Sequence, residues 1–221
     1  MPTPDPGRRS DGPEELSRRL QQLKRDGCNL LVTRSSGGPA VDRTTARLFG
    51  SPRKERDRIL VVVRDAAGAL SAKFPPGVSI RDDRTHLIDY REAFGDGGPP
   101  TGGGDPLSRL RTDVENRLAA CLSGRDPEPA EIRLGVDSLG PLLEGCPESE
   151  VSAFVTAVTT AVREARGMGH FHVDMPDERA RELPLASAFD ARLELRQIEA
   201  RPARQRFHLP DVGTGPWMRI R

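Results

Sequence analysis

Residues 37–45 have a glycine and two hydroxyl side chains at the spacing of a phosphate-binding loop. Such a loop follows the pattern G-x-x-x-x-G-K-[ST] between a strand and a helix. Its glycines let backbone N–H groups surround the phosphates, its lysine neutralises their charge and its hydroxyl binds Mg²⁺. Gly37 takes the first glycine position, and Thr44, followed by Thr45, takes the hydroxyl position. Asp42 and Arg43 stand where the second glycine and the lysine belong.

These two replacements oppose nucleotide binding. Asp42 puts a carboxylate where a phosphate should rest, which is costly in a poorly solvated site. Pro39 removes one N–H donor from the loop, and the planar guanidinium of Arg43 does not substitute for a compact ammonium group. We therefore expect a degenerate nucleotide site. The other interpretation is an ordinary Ser/Gly-rich loop that fits a weak pattern.

Asp137 is the second candidate ligand for a magnesium–nucleotide complex. It follows the apolar segment 131–136 and precedes Ser138. A carboxylate at the end of a buried strand is where phosphate-loop enzymes hold their Mg²⁺. The degenerate nucleotide site predicted from the sequence thus consists of Gly37, Asp42, Arg43, Thr44, Thr45 and Asp137.

His170, His172 and Asp174 form a separate candidate metal site. They alternate along one predicted strand, so their side chains are expected on one face of the sheet. Imidazole and carboxylate groups that converge in this way can hold a transition metal. A pair of histidines in the core or at the end of the sheet is the alternative. No motif of an activated nucleophile accompanies them, and Cys28, Cys121 and Cys146 lack the spacing of a zinc knuckle.

The elements that must position these residues alternate between strand and helix. Apolar runs predict buried strands at 29–33, 58–63, 131–136 and 170–173, with shorter ones at 78–80 and 87–88. Helical periodicity is present at 14–23, 107–122 and 151–166, with a short helix around 44–49. Segments 191–198, 204–209 and 217–220 alternate apolar with polar residues, which favours antiparallel strands. The pattern predicts a three-layer α/β fold with a mostly parallel central sheet and an antiparallel C-terminal extension.

Composition narrows the class of protein. The 221 residues suit one domain, which we place at 13–221, after a disordered leader at 1–12 and with a flexible Gly/Pro-rich loop at 95–105. The 34 Lys and Arg nearly balance the 33 Asp and Glu, so a nucleic-acid partner is not expected. No segment has the apolar length of a membrane span or a secretory signal, so we expect a cytoplasmic protein with no membrane partner.

The degenerate loop, together with the Val-Asp-Ser-Leu sequence that begins at Val136, resembles the RecA/KaiC family of phosphate-loop ATPases. Asp137-Ser-Leu-Gly-Pro-Leu-Leu, the segment 169–174 and Ala188-Phe-Asp-Ala are more narrowly similar to an uncharacterised haloarchaeal family of KaiC-like proteins, whose members often lack an intact phosphate loop. The resemblance implies a RecA-like fold, an archaeal source and a possible homo-oligomer. KaiC-like ATPases also place glutamate after the second strand to activate water. Here Arg64-Asp65 follows, so the general base is either a shortened one, Asp65, or absent.

The sequence therefore predicts a non-catalytic RecA/KaiC-like module that acts in regulation or signalling through a protein partner, without a cofactor. One alternative is a weak or slow ATP-binding protein that uses Mg²⁺ and the residues of the degenerate site. The other alternative is a metal-binding protein that uses His170, His172 and Asp174.

Overall fold

Nine strands form one sheet in the parts of the chain that the computed structural model describes, residues 12–34, 39–64, 70–94, 105–197 and 202–220. The strands are β1 (Cys28–Arg34), β2 (Asp57–Val62), β3 (Thr85–Asp89), β4 (Ile132–Val136), β5 (Met168–Val173), β6 (Ala191–Arg196), β7 (Arg204–Leu209), β8 (Gly213–Thr214) and β9 (Met218–Arg219). Their order across the sheet is β3-β2-β4-β5-β1-β6-β7-β8, and β9 also pairs with β7. The first six in this order are parallel, whereas β7 is antiparallel to β6 and to β8 and β9.

One helix precedes β1, and the others connect the parallel strands. They are α1 (Gly12–Asp26), α2 (Pro39–Leu48), α3 (Arg91–Phe94), α4 (Pro106–Leu122), α5 (Gly140–Gly145), α6 (Glu148–Glu164) and α7 (Asp177–Ala180), with single 3₁₀ turns at Leu70–Lys73 and Pro184–Ala188. In the described ranges none of them is both long and apolar enough to cross a membrane. The start of α4 follows local rules, because Asp105 accepts a hydrogen bond from the Leu107 N–H at 3.0 Å and Pro106 occupies the first turn.

Apolar side chains cover both faces of the sheet. Leu31 and Ile59 pack on one face with residues of α4 and α6 such as Leu110 and Phe154. The adjacent residues Leu30 and Leu60 point to the other face, where α1 and the end of α2 pack. The predicted α/β fold with a mostly parallel central sheet and antiparallel C-terminal strands is confirmed.

Two local predictions were wrong, and a third was confirmed in part. Residues 78–80 form turns, and the strand there begins only at Thr85. β6 pairs antiparallel with β7, as its alternation predicts, but its other edge pairs in parallel with β1. Helix α2 begins at Pro39 rather than near Thr44, since proline is well suited to the first helical turn. Residues 1–11, 95–104, Gly37 and Asp65 lie outside the described residues, so the expectations for them stay predictions.

The C-terminal strands carry paired arginines. Arg206 donates to Glu194 at 2.6 Å, and Arg192 donates to Asp177 at 2.9 Å. The guanidinium carbons of Arg206 and Arg196 lie 4.4 Å and 5.9 Å from the ring centre of Trp217. These arginine side chains therefore have partners within the protein.

Gly135 in β4 permits a close approach of two rings. A Cβ atom there would lie 2.6 Å from His170 Nε2 and 2.8 Å from Phe49 Cζ. Because both rings are fully buried, we expect Gly135→Ala to lower the free energy of unfolding by about 1–3 kcal/mol in urea denaturation. Gly140→Ala, in α5, is the control and should change stability by less than about 1 kcal/mol. Equal stability of Gly135→Ala and wild type would contradict this packing.

Candidate functional site

Charged residues gather at the edge of the sheet where the parallel strands β1, β2, β4 and β5 end. Arg34 is the last residue of β1, and its guanidinium donates to the carboxylate of Asp174, which follows β5. Arg64, which follows β2, donates to the other oxygen of the same carboxylate. Burial would raise the pKa of Asp174, but the two arginines outweigh it and lower that pKa. Asp174 is therefore an ion-paired carboxylate that connects the ends of β1 and β5 with the residue after β2.

Asp137 lies at the same edge, directly after β4, and is 6% exposed. Its backbone N–H donates to Val61 at 3.0 Å, and its side chain accepts a hydrogen bond from the Val63 N–H at 2.9 Å. Burial raises its pKa to about 6, although nearby N–H groups, Lys73 and Arg34 partly oppose that effect. Asp137 thus ties β4 to β2 and ionises only near neutral pH.

Helix α2 replaces most of the predicted phosphate loop. Residues 39–42, which a working loop would use to wrap phosphates, form its first turn. Only residues 35–38 separate it from β1. Asp42 lies in this first turn, and one of its carboxylate oxygens is 3.7 Å from Nζ of Lys73. The Lys73 side chain is 9% exposed and that of Asp42 is 32% exposed, so only the ammonium side of the ion pair is shielded from water.

Lys73 ends the 3₁₀ turn Leu70–Lys73 that follows β2. Its ammonium is close enough to Asp137 to lower the pKa of that carboxyl. It therefore links the start of α2 to the end of β4. Sequence analysis missed this residue, because it belongs to no motif. The one available signal was its rarity, since Lys24, Lys54 and Lys73 are the only lysines.

The two threonines of the predicted loop are buried in α2 and point toward the sheet. The Thr45 hydroxyl donates to the carbonyl of Val41 at 3.0 Å and is 3.2 Å from Nε2 of His172. Thr44 is 1% exposed and lines a cavity at the opposite end of the strands. Neither threonine lies at the helix start, where a magnesium-binding hydroxyl belongs. Arg43 is exposed on the same helix.

The histidines predicted as metal ligands are core residues on the α2 face of β5. Their ring centres are 5.5 Å apart, and His170 also meets the edge of Phe49 at 4.9 Å. Burial lowers the pKa of His170 to about 3 and that of His172 well below its usual value, so both are neutral. Asp174 is held by arginines beyond the end of the strand. The structure therefore brings the two histidines together but assigns Asp174 to another contact.

Other side chains with metal-ligating atoms converge more closely than His170, His172 and Asp174. Among the described residues, two groups have ligand atoms within 4.8 Å of one another: Asp57, His86 and Cys121, and Asp177, Glu194 and His208. In both groups the carboxylates accept hydrogen bonds from arginines, which provide the positive charge that a metal ion would otherwise supply. These groups are internal ion-pair networks.

Of the predicted nucleotide residues, the structure brings Asp42 and Asp137 to one edge, joined by Lys73, and turns Thr44 away from it. A family model, described as a family of unknown function (DUF7504), matches residues 27–195, most of the chain. The chain belongs to this family. Among curated proteins no sequence matches it. The DUF7504 match spans β1 to β6 and includes Asp42, Lys73, Asp137 and Asp174, whereas β7, β8 and β9 follow it.

The position of Lys73 in this DUF7504 chain leads to a prediction about Asp137. Replacing Lys73 by methionine removes the cation that favours the ionised carboxylate. The pKa of Asp137 is therefore expected to rise above its value of about 6. Carboxyl-detected NMR titration measures this directly, and Lys54→Met, in an exposed turn, is the control. An unchanged titration of Asp137 in Lys73→Met would show that the ammonium does not act on it.

Proposed function

We propose that this protein is a non-catalytic module of the RecA/KaiC-like type that acts through protein contacts in regulation or signalling. The observation that carries the proposal is the ion pair between the buried Lys73 and the partly exposed Asp42, with Lys73 also acting electrostatically on Asp137. In a working phosphate-loop enzyme, Mg²⁺ and the terminal phosphates lie between the start of the helix after the first strand and the carboxylate at the end of a neighbouring strand. Here an ammonium group of the protein itself provides the positive charge.

Two further features support this proposal. The helical start at Pro39 leaves fewer backbone N–H groups free to surround a triphosphate than an extended loop would. The Asp42 carboxylate would repel the phosphates at close range. Neither feature affects the sheet, so the fold is retained while the chemistry is lost. The formal net charge of +1 gives no reason to choose nucleic acid as the partner.

Calorimetric titration with Mg²⁺-ATP tests the absence of nucleotide binding. Wild-type protein is expected to show no saturable binding tighter than ~1 mM. The Asp42→Gly/Arg43→Lys variant restores two residues of the pattern, and we expect little gain because Lys73 and the early start of α2 remain. Micromolar binding by the wild type would contradict the proposal and favour an ATP-binding function.

A phosphate-release assay tests catalysis with a matched control. Asp137→Asn keeps the size of the side chain but removes its charge, so any release that depends on this site should disappear in the variant. We expect equal background release from both proteins. Greater release by wild type would show that the site is catalytic.

The protein-contact part of the proposal needs a binary complex. Proximity crosslinking in the native host should identify candidate partners, and each is then purified and mixed with this protein. We expect at least one to form a complex of defined stoichiometry by analytical ultracentrifugation. If none does, the proposed mode of action is wrong even if nucleotide binding is absent.

A further inference from the structure

A cavity of about 450 Å³ lies at the other end of the strands, away from Asp137 and Lys73. Cys28, Arg133 and Met168, near the beginnings of β1, β4 and β5, lie at its base. Helices α1 and α2 and strand β7 contribute its walls. The volume falls within the range of small-molecule sites, roughly 300–1,000 Å³.

Much of the cavity wall is apolar. Leu23 of α1, Leu48 of α2, Leu193 of β6 and Phe207 of β7 all line it. Leu23 and Leu193 are buried, whereas Leu48 and Phe207 are only partly covered. The cavity therefore offers an apolar surface that an alkyl chain can cover.

The ionisable lining has one sign of charge. Lys24, Arg47, Arg56 and Arg133 line the cavity, and no carboxylate is among its described lining residues. This contrasts with the rest of the chain, where acidic and basic residues nearly balance. The cavity is therefore a local region of positive potential that favours an anion.

Arg133 is the decisive residue because it is only 6% exposed. Its guanidinium donates to the carbonyls of Ala130 at 2.8 Å and Leu48 at 3.2 Å, and lies 2.6 Å from the sulfur of Met168. All three partners are neutral, and Arg133 forms no ion pair among the described residues. Burial, followed by repulsion from Arg56, lowers its pKa to about 9.

Arg56 adds a second incompletely satisfied guanidinium. One of its terminal nitrogens donates to Ala130, but its buried Nε has no hydrogen-bond partner. Glu131 attracts it from a distance, although that carboxylate is already hydrogen-bonded to Arg84 and Arg125. The buried charge of Arg133, which has no ion pair with any described residue and lies near the partly buried Arg56, is therefore destabilising. A bound anion would remove that penalty.

We propose that this cavity binds an amphipathic anion, with a carboxylate or phosphate head against Arg133 and Arg56 and an aliphatic chain along the leucine-lined wall. The planar guanidinium fork matches the geometry of both head groups. This site is independent of the proposed function, because it lies at the opposite end of the sheet from the degenerate nucleotide site.

Titration calorimetry with three probes of equal chain length tests the proposal: dodecanoate and dodecyl phosphate, each below its critical micelle concentration, and dodecanol below its solubility limit. Both anions are expected to bind with 1:1 stoichiometry, and dodecanol roughly 10-fold or more weakly, since it lacks the charge. Whichever anion binds more tightly identifies the head group. Absence of saturable binding by either anion, or equal binding of dodecanol, would overturn the proposal.

Variants connect the binding to the basic residues. Arg133→Met is expected to weaken anion binding roughly 10- to 100-fold. Because the Arg133 charge has no ion pair with the described residues of the ligand-free protein, the thermal midpoint of Arg133→Met should equal or exceed that of wild type. Arg47→Met, at the cavity wall, and Arg25→Met, at an exposed position of α1 outside the cavity, form a test and control pair in case Arg133→Met does not fold. Only Arg47→Met should weaken binding, and equal affinities for the pair would contradict the assignment.

Discussion

Replacement of Asp57 by asparagine is expected to lower the free energy of unfolding by about 2–3 kcal/mol. The carboxylate is 3% exposed and accepts hydrogen bonds from Nε and Nη2 of Arg84 at 3.0 and 2.9 Å, and from Nη1 of Arg125 at 2.9 Å. Burial opposes its ionisation, but these two arginines lower its pKa. Loss of the charge leaves a half-buried guanidinium short of its main partner at the start of β2.

The control for this prediction is Glu55→Gln. Glu55 accepts a hydrogen bond from the same Arg84 at 2.8 Å, but its side chain is 89% exposed. A surface pair of this kind contributes about 0–1 kcal/mol. Urea unfolding of the two variants therefore compares the stability contributed by a buried carboxylate with that contributed by an exposed one that pairs with the same arginine. A loss of less than about 1 kcal/mol in Asp57→Asn would show that the network does not anchor β2.

Acidification from pH 7 to pH 5 is expected to destabilise the protein by roughly 2–3 kcal/mol, mainly because of His170 and His172. Both are neutral in the folded protein, with pKa values far below 6.5 because they are buried. In the unfolded chain they take up protons near pH 6.5. The unfolded state thus binds more protons below that pH, and stability present above it is lost as the pH falls.

Asp137 acts in the opposite direction. Its folded-state pKa of about 6 is above its ordinary value of 3.8, so the folded protein gains a proton before the unfolded chain does. That uptake offsets about one histidine below pH 6. The net effect is a fall in the free energy of unfolding of about 1.4 kcal/mol per pH unit. It should be visible as a falling urea midpoint between pH 6.5 and 5.

His170→Leu tests the source of this slope. The variant removes one buried imidazole from the α2 face of β5, so its stability should depend on pH about 1.4 kcal/mol per unit less steeply than that of wild type. His86→Gln is the comparison, because His86 is only partly buried on the edge strand β3 and its pKa is lowered less severely. An unchanged slope in His170→Leu would assign the acid sensitivity to other groups.

Local sequence patterns were sufficient for the architecture. Strands β1, β2, β4 and β5 are buried along nearly their whole length because helices cover both of their faces, and α4 and α6 show clear helical periodicity. The alternation of β6 predicted its antiparallel pairing with β7 but not its parallel pairing with β1. This alternation reflects one partly wet face and carries no information about the direction of the strand on the other edge.

The candidate site was less accessible from the sequence. Asp42 and Asp137 could be placed at one edge because they follow predicted strands. Lys73 could not, since it reaches that edge from an irregular segment whose path depends on tertiary packing. Likewise the unpaired state of Arg133 is a property of its surroundings, and no sequence pattern records the absence of a counter-ion.

The contact between Trp217 and Arg206 gives this molecule a built-in optical probe. Trp217 is the sole tryptophan of the chain, and it lies beside β9 in the antiparallel extension. Its emission therefore reports on that extension, whereas far-ultraviolet circular dichroism reports chiefly on the helices that cover the parallel strands. Divergent transitions from the two signals would reveal detachment of β7, β8 and β9 ahead of the main body, and coincident transitions would indicate a single cooperative unit.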